Sequence, residues 1–468
     1  MADPSVSAIS PNPSADYIEW AQESLGVIIH HPLRLGSAPG KEERGVYCEQ
    51  DIPADTIVVS VPWEALLTLE SARGTPFEGL YEAGAREDDV LCLLLLYHRY
   101  VLGEDSPLSN HIRALPRTYH QTIFYSEEEM MLLRGTSLHA VTERWKFQVD
   151  SDFDELMDLE LERQEGVKIV RDALEGYLTK ECYLWALSTV WSRFVTVERG
   201  GRALKAMAPM FDMFNHDPLS STVHGFQETN QCLHLVTLQD WRAGCEVRFC
   251  YGPLSNSRLL LLHGFCVPDN PFDSVELWAT MEERAPRHAE KTKILAQNGV
   301  DASRRPFLLT ERGLDPNLLP TLRVQHATGN ELKVATDVAW GEVLSQRNEG
   351  EVCDALRAAL SLMLKDRKAP SDHTTCNGSA RPSPSGADHQ QHHQQHHRHG
   401  HGTETRDDAV EETSGFAGAV VTGARNRWVS PEDRRKTVEL LKSGEERVIR
   451  LNLEWIEAHQ LRITKQLE

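Results

Sequence analysis

The longest apolar run in the chain constrains its fold more than any other feature. Residues 90–97 read VLCLLLLY, follow the acidic pair Asp88-Asp89, and are too few to span a bilayer. Acidic residues in a first turn favour a helix, and a helix that is apolar on every side must be buried on every side. The run therefore predicts a central helix in a substantial core, within a chain of 468 residues that is long enough for two or three domains.

Charge and cysteine usage exclude several classes of protein. The chain has 49 Lys and Arg against 70 Asp and Glu, a formal charge of -21, which argues against binding to nucleic acid or anionic membranes and favours a basic protein partner. Nine cysteines without a CxxC pair fit reduced thiols better than a disulfide framework. The first residues, MADPSVSAISPNPSADY, resemble neither a signal peptide nor a transit peptide. We therefore expect a cytoplasmic or nuclear protein that binds neither nucleic acid nor membrane.

Segments with strand character flank a long helical stretch, which predicts an α+β fold. Strand character is found at residues 44–48, 56–61, 232–238, 245–251 and 274–280. Because turn residues fill positions 51–55, the first two segments are expected to form a hairpin. Helical patterns dominate from about residue 88 to residue 190, and Asp16 is expected to cap a short helix near the N-terminus. We assign residues 1–19 to a flexible lead and residues 20–280 to the first domain.

The pattern beyond residue 280 is predominantly helical, which predicts a second domain over residues 281–468. Ser430-Pro431 followed by two acids is a strong helix start. Residues 369–414 contain almost no large apolar side chain, so we predict a disordered insertion within this domain. Seven histidines lie between His389 and His401, but neither their spacing nor a scaffold would fix the geometry of a specific metal site.

The segment APMFDMFNHD at 208–217 places an Asp, an Asn and a His together in an apolar stretch. Buried polar groups need partners, so the segment by itself fits either a turn with a satisfied core histidine or a ligand site. A metal site made from His216, Asp217, His224 and His263 is disfavoured, because adjacent side chains on extended backbone point to opposite sides.

Three further motifs occur with this segment in a fixed order: EERGV at 42–46, WSRF at 191–194, and FCYG at 249–252 followed by LLLLHGF at 259–265. Together with VPWEALLTLESA after the first strands, the set resembles the SET-domain protein methyltransferases. It is most similar to the subclass of the Rubisco large-subunit lysine methyltransferase and the actin-histidine methyltransferase. The resemblance is strong over about residues 20–280, and the helical remainder looks like that subclass's C-terminal substrate-binding domain.

This resemblance implies a β-rich SET core threaded in a pseudoknot, with a helical insertion at about residues 88–190 and a mostly helical substrate-binding domain after it. It implies transfer of a methyl group from S-adenosyl-L-methionine to a protein without a metal, the protein supplying alignment and electrostatics. A lysine with a pKa near 10.4 is only about 0.1% neutral at pH 7.4, and an apolar channel with positive charge nearby would offset that handicap.

The resemblance also implies roles for individual residues. Tyr251 would be catalytic and would present its hydroxyl to the substrate nitrogen. The implied cofactor-binding residues are Glu42, Glu43, Arg44, Arg193, Asp212, Asn215, His216, His263, Gly264 and Phe265. Arg193 would bind the cofactor's carboxylate, unless it forms a surface ion pair instead, and Asn215 would bind the cofactor's amino-acid portion. Asp212 would either touch the ligand or buttress the turn.

Departures from the family pattern narrow the expected function. Histone-directed relatives carry a cysteine-rich zinc segment after the Tyr-Gly strand, whereas this chain offers Cys266 alone before the helical domain, so we expect a non-histone substrate. Val195 stands where the actin-histidine enzyme has Asn, which favours lysine as the acceptor, and Arg44 replaces a small or aromatic residue. Histidine methylation and a catalytically silent SET-like interaction module stay open as alternatives. We expect a monomer.

Overall fold

The structure is a computed structural model that describes residues 15–37, 44–162, 172–174, 176–368 and 430–466. Glu42, Glu43 and the insertion predicted at 369–414 lie outside the described residues. No helix in the described ranges combines the length and the apolarity needed to cross a membrane.

Strands and helices are mixed along the chain. The described strands are Ile28–Ile29 (β1), Leu33–Ser37 (β2), Arg44–Cys48 (β3), Thr56–Pro62 (β4), Phe194–Arg199 (β5), Arg202–Met207 (β6), Asn215–His216 (β7), Thr222–Gln227 (β8), Cys232–Thr237 (β9), Glu246–Phe249 (β10), Ser274–Leu277 (β11), Phe307–Thr310 (β12) and Gly313–Leu314 (β13). The described helices are Ala15–Leu25 (α1), Glu87–Leu96 (α2), Ser109–Ala114 (α3), Glu127–Leu132 (α4), Ser137–Glu162 (α5), Lys180–Arg193 (α6), Asn256–Leu262 (α7), His288–Gln297 (α8), Leu318–His326 (α9), Gly329–Val338 (α10), Gln346–Lys368 (α11) and Pro431–Gln466 (α12). The α+β class predicted from the sequence is confirmed.

Two four-stranded sheets carry the β-rich core, in the orders β1-β4-β9-β8 and β2-β3-β10-β7. Their pairs are antiparallel except for β7 and β10, which run parallel with Arg248 opposite Asn215 and Phe249 opposite His216. Apolar side chains from both sheets share one buried cluster, which includes Val46, Leu235 and Val247. Strands β5 and β6 form a separate hairpin.

The hairpin expected between residues 44–48 and 56–61 is wrong, because β3 and β4 belong to different sheets. The turn segment between them carries the chain from one sheet to the other, and Ile52 within it bridges to Trp241. Turn residues look the same in a sequence whether or not the strands on either side pair with each other.

The first helix also differs from its prediction. Helix α1 begins at Ala15, so residues 15–19 are helical rather than part of a flexible lead, and Asp16 lies inside the helix rather than capping it. Tyr17 is 2% exposed. The N-terminal helix is thus anchored in the core by an aromatic side chain.

The apolar run forms α2, as predicted. Leu91, Leu93, Leu94 and Leu96 are fully buried, and α2 packs against α6 in a second apolar cluster built from the helical insertion. The helix begins with three acids, and Asp89 accepts hydrogen bonds from the backbone N–H and the guanidinium of Arg86. This charge at the N-terminus fits the helix dipole.

Helix α12 holds the C-terminal region together. It packs against α11, β11 and β12, and its Val438 and Leu441 enter a buried cluster with Tyr125 and Leu260 from earlier in the chain. The sequence did not predict β12 and β13, which with β11 form a three-stranded sheet. These strands have four and two residues, too few for a clear alternating pattern.

Replacing Leu94 by Ala should lower the free energy of unfolding by about 2 to 5 kcal/mol, because it leaves a cavity in a fully packed helix. Leu362→Ala is the matched control, since that helical leucine is 58% exposed, and it should change stability by less than about 0.5 kcal/mol. Urea denaturation followed by circular dichroism measures both. Equal losses in the two variants would contradict the central position of α2.

Candidate active site

The parallel pair of β7 and β10 brings the Asn-His dipeptide next to the end of the strand that leads to Tyr251. The backbone N–H of Tyr251 donates to Nδ1 of His216 at 3.1 Å, and the Tyr251 hydroxyl donates to the carbonyl of Phe214 at 2.9 Å. A hydroxyl that donates its proton keeps lone pairs for an incoming N–H. Tyr251 is therefore held by the protein at both its backbone N–H and its hydroxyl.

The amide of Asn215 is held on its nitrogen side. Its Nδ2 donates to the Arg44 carbonyl at 2.8 Å and to Oε1 of Glu246 at 2.7 Å. A Cβ at Gly45 would overlap the Glu246 carboxylate, so a larger residue there would displace that side chain from the Asn215 amide. Both N–H groups of the amide are used within the protein, which leaves its carbonyl oxygen for a ligand donor.

A buried ion pair lies beside these strands. Nη1 of Arg193, at the end of α6, donates to the Asp212 carbonyl at 2.8 Å and lies 3.4 Å from Oδ2 of the same residue. The Asp212 side chain is 2% exposed, so this is not the surface ion pair that the sequence left open. Asp212 holds Arg193 through both its backbone and its carboxylate.

A second guanidinium lies near this pair. Arg44 donates to the carbonyl of Ala114 at 2.7 Å, and its pKa is lowered by burial and then by the positive charge of Arg193. Two guanidinium groups near the single carboxylate of Asp212 leave a net positive charge. Nε of Arg193 is buried and has no hydrogen-bond partner among the described residues. This end of the site therefore suits an anionic group.

The residues at 263–265 form another wall. Nδ1 of His263 donates to the carbonyl of Ser192 at 3.1 Å, and its ring lies 5.0 Å from the ring of Tyr251 and 6.0 Å from that of Phe265. Gly264 has a φ of +83°, and a Cβ there would lie 2.9 Å from the backbone of His120. The residue between the two rings must be a glycine for the chain to pass this closely.

Burial keeps the two imidazoles of the site neutral. It lowers the pKa of His216 to about 4 and that of His263 to about 4, and the neighbouring His216 contributes to the shift at His263. Near neutral pH both rings are uncharged, so the positive charge of the site comes from its arginines.

A cavity of about 330 Å³ joins these groups, and its volume lies in the range of small-molecule sites. Its walls are mostly apolar, with a few polar groups that converge on it. The lining residues are Trp191, Ser192, Arg193, Phe194, Val195, Thr196, Phe211, Asp212, His224, Phe249, Tyr251, Leu254, Leu262 and His263. Arg193 and Tyr251 both line it.

A second cleft of about 400 Å³, which includes Glu70, Arg199 and Glu228, contains none of the predicted site residues. The Arg199 guanidinium already pairs with Glu70 there. Because the motif residues gather beside Tyr251, the candidate site is that cavity rather than this cleft.

The described members of the predicted set thus gather in one region. Arg193, Asp212, Tyr251 and His263 line the cavity. The other described members, Arg44, Asn215, His216, Gly264 and Phe265, contact or adjoin those four, while Glu42 and Glu43 lie outside the described residues. Within the described ranges, no three His, Cys, Asp or Glu side chains are placed to hold a metal ion.

Sequence reasoning missed several groups around the cavity. His224 was considered solely as a metal ligand, but its ring packs 5.6 Å from Phe211 and 5.9 Å from Phe249. The alternation of Thr222, His224 and Phe226 along β8 could have indicated that these three side chains share one face of the strand. The contacts of Tyr17 and His111 with the Asp212 segment carry no local sequence signal.

Comparisons with known proteins identify the family matches of the chain. The SET domain family model matches residues 43–252, and the model for the Rubisco LSMT substrate-binding domain matches residues 282–373. Actin-histidine N-methyltransferases from Callithrix jacchus and Homo sapiens are 30% and 29% identical over 327 residues, which are 68% of this chain and 53% of each relative. The chain therefore spans about half the length of these curated relatives.

Solved structures match over more of the chain. A structure of the SET domain of LSMT bound to lysine and AdoHcy has a TM-score of 0.70 at 20% identity and covers 96% of this chain and 92% of that one. A structure of Rubisco LSMT bound to AdoMet has a TM-score of 0.69 at 21% identity, with the same coverage. At these identities the match establishes the fold.

Acid should destabilise the protein through the buried imidazoles. Because the folded-state pKa of His263 is about 4 and its ordinary value is 6.5, the unfolded chain binds protons more readily, and stability is lost as the pH falls from 6.5 towards 4. His263 alone should cost about 2 kcal/mol at pH 5 relative to pH 7.5. Urea denaturation at both pH values should show a smaller loss for His263→Phe than for the wild type. If the wild type and His263→Phe lost the same free energy of unfolding, the lowered pKa of His263 would be contradicted.

Proposed function

The chain belongs to the family of proteins that join a SET domain to a Rubisco LSMT substrate-binding domain, and from this premise we propose that it is an S-adenosyl-L-methionine-dependent protein-lysine N-methyltransferase acting on a non-histone protein. One observation carries the proposal: a single cavity connects a buried cationic end at Arg193 with the fixed hydroxyl of Tyr251. A charged donor molecule and a nitrogen acceptor could meet there.

The residues at the cationic end fit the cofactor's amino-acid portion. The unpaired Nε of Arg193, with Arg44 nearby, would bind the carboxylate, and the free carbonyl oxygen of Asn215 would accept from the ammonium group. His263 and Phe265 would form an apolar wall for the adenine side. When bound, the cofactor supplies a methyl group already activated by the sulfonium, so the protein's task is alignment.

The apolar part of the cavity wall suits a neutral amine. The apolar walls formed by Trp191, Phe194 and Val195 disfavour an ammonium ion, and the nearby guanidinium charges act in the same direction, so both lower the pKa of a bound lysine. The proton would leave to solvent as the side chain enters. The Tyr251 oxygen would then accept an N–H from the amine and direct its lone pair along the cavity towards the methyl group.

Lysine is favoured over histidine by the wall of the cavity. Val195 lines it and is 7% exposed, and its side chain offers no hydrogen bond to the second nitrogen of an imidazole. Histidine is nevertheless a second candidate acceptor, because the curated relatives at 29 to 30% identity are named as actin-histidine N-methyltransferases. The acidic chain and the match to a substrate-binding domain support a protein substrate with a basic surface.

The test of the proposal is transfer of tritium from labelled S-adenosyl-L-methionine to proteins in a lysate of the native host. A labelled protein identified by mass spectrometry, with the methyl group on a lysine, supports the proposal, while a methylated histidine replaces it with the second candidate. If calorimetry detects no binding of S-adenosyl-L-methionine at micromolar concentrations and no protein is labelled, the chain is a silent interaction module.

Replacing Tyr251 by Phe should lower turnover by about 100-fold or more while cofactor affinity stays unchanged, because the hydroxyl that orients the amine is lost. Tyr183→Phe is the matched control, because it also removes a buried hydroxyl. That hydroxyl donates to Asp89 at 2.7 Å and does not line the cavity, so turnover should persist. The assay is methylation of the identified substrate. Full activity in Tyr251→Phe would remove this residue from the mechanism.

A further inference from the structure

We propose that Tyr17 and His111 are positioning residues for the cofactor's carboxylate, acting through Asp212 on Arg193. This inference rests on the proposed function. Neither residue is among those that line the cavity in the described structure. They come from α1 and α3, two helices that are distant in sequence from the motifs of the site.

The chain of contacts starts at the turn that carries Asp212. The backbone N–H of Met210 donates to the Tyr17 hydroxyl at 3.0 Å, and Met210 has a φ of +70°, a left-handed conformation that is costly for a side chain of this kind. Tyr17 is 2% exposed, so this bond is shielded from water. The hydroxyl thus stabilises a strained turn immediately before the carboxylate.

The next contact joins Tyr17 to His111. The two groups lie 2.9 Å apart, from the Tyr17 oxygen to Nδ1 of His111, whose side chain is 2% exposed. Because the tyrosine oxygen accepts from Met210, its own proton points to Nδ1. The ring is neutral, since burial lowers the pKa of His111, so its proton resides on Nε2.

The His111 ring lies next to the carboxylate. Its Nε2 lies 3.4 Å from Oδ2 of Asp212 without forming a hydrogen bond of good geometry, and the same oxygen lies 3.4 Å from Nη1 of Arg193. The Asp212 carboxylate is therefore placed between a neutral imidazole and a guanidinium. When the Asp212 carboxylate is held in position, it fixes the orientation of the Arg193 guanidinium. Orientation matters for a guanidinium because it is planar and donates through a fork of N–H groups.

These contacts also set the position of one particular atom, Nε of Arg193. Nε of Arg193 is buried without a partner among the described residues, and a carboxylate is the group that fits it. If Tyr17 or His111 loses its polar atom, Asp212 gains freedom and the guanidinium turns away from the position that a carboxylate needs. Affinity should fall for ligands that carry this group and stay constant for ligands that lack it.

Decarboxylated S-adenosylmethionine provides the probe, because it differs from S-adenosyl-L-methionine in the carboxylate alone. Calorimetry on the full chain gives the ratio of the two dissociation constants for the wild type, Tyr17→Phe, His111→Leu and His111→Gln. We expect the preference for the carboxylate-bearing ligand to fall by about three- to tenfold in Tyr17→Phe and His111→Leu. His111→Gln should retain more of it, because the amide nitrogen of Gln can occupy the place of Nε2.

Two further variants make the outcomes distinguishable. Tyr183→Phe removes a different buried hydroxyl and should leave the ratio at the wild-type value, although it lowers stability. Arg193→Ala should abolish the preference; if it does not, the assigned cofactor site of the proposed function is wrong. If Arg193→Ala abolishes the preference while Tyr17→Phe and His111→Leu both keep it, the proposed function stands and the positioning role is overturned.

Discussion

The whole site depends on two residues of parallel pairing between β7 and β10. This short ladder aligns Asn215 and His216 with the strand that ends just before Tyr251, and the backbone N–H of Tyr251 then bonds to the His216 ring. Two paired residues cannot form a stable sheet in isolation. The pairing of β7 with β10 must therefore be held by β3, the antiparallel neighbour of β10, and by the apolar cluster that both sheets share. The histidine of the motif serves this assembly, since its ring is neutral and one of its nitrogens is already bonded.

Polarity is divided along the cavity, and this division gives the site its direction. The cationic groups gather at the end where Arg193 meets Asp212, whereas the walls around Val195 and Phe249 are apolar. Placing the imidazoles in a buried environment keeps them from adding charge near neutral pH. On the proposed function, the cationic groups would attract a carboxylate and the apolar walls would disfavour an ammonium ion, so one cavity would serve two ligands.

Local patterns predicted the elements better than their partners. The run at 90–97 specified a buried helix because apolar residues on all sides leave no alternative, and the order of short motifs indicated which segments would meet around Tyr251. The pairing of β3 and β4 was wrong because a turn does not reveal the sheet to which the next strand belongs. The hydrogen bond between Tyr17 and His111 joins positions 94 residues apart. The sequence around either residue carries no pattern that predicts this contact, so it could be identified only from the structure.

Helix α12, the last described helix, completes a buried cluster whose other members come from much earlier in the chain. Arg434 pairs with Glu129 across 305 positions of sequence, and Val438 and Leu441 cover the side chains of Met130 and Leu260. During synthesis on the ribosome, those apolar surfaces emerge long before the helix that covers them. An apolar surface of the nascent chain therefore stays uncovered until α12 has been synthesised, and uncovered apolar surface of this kind promotes aggregation during folding.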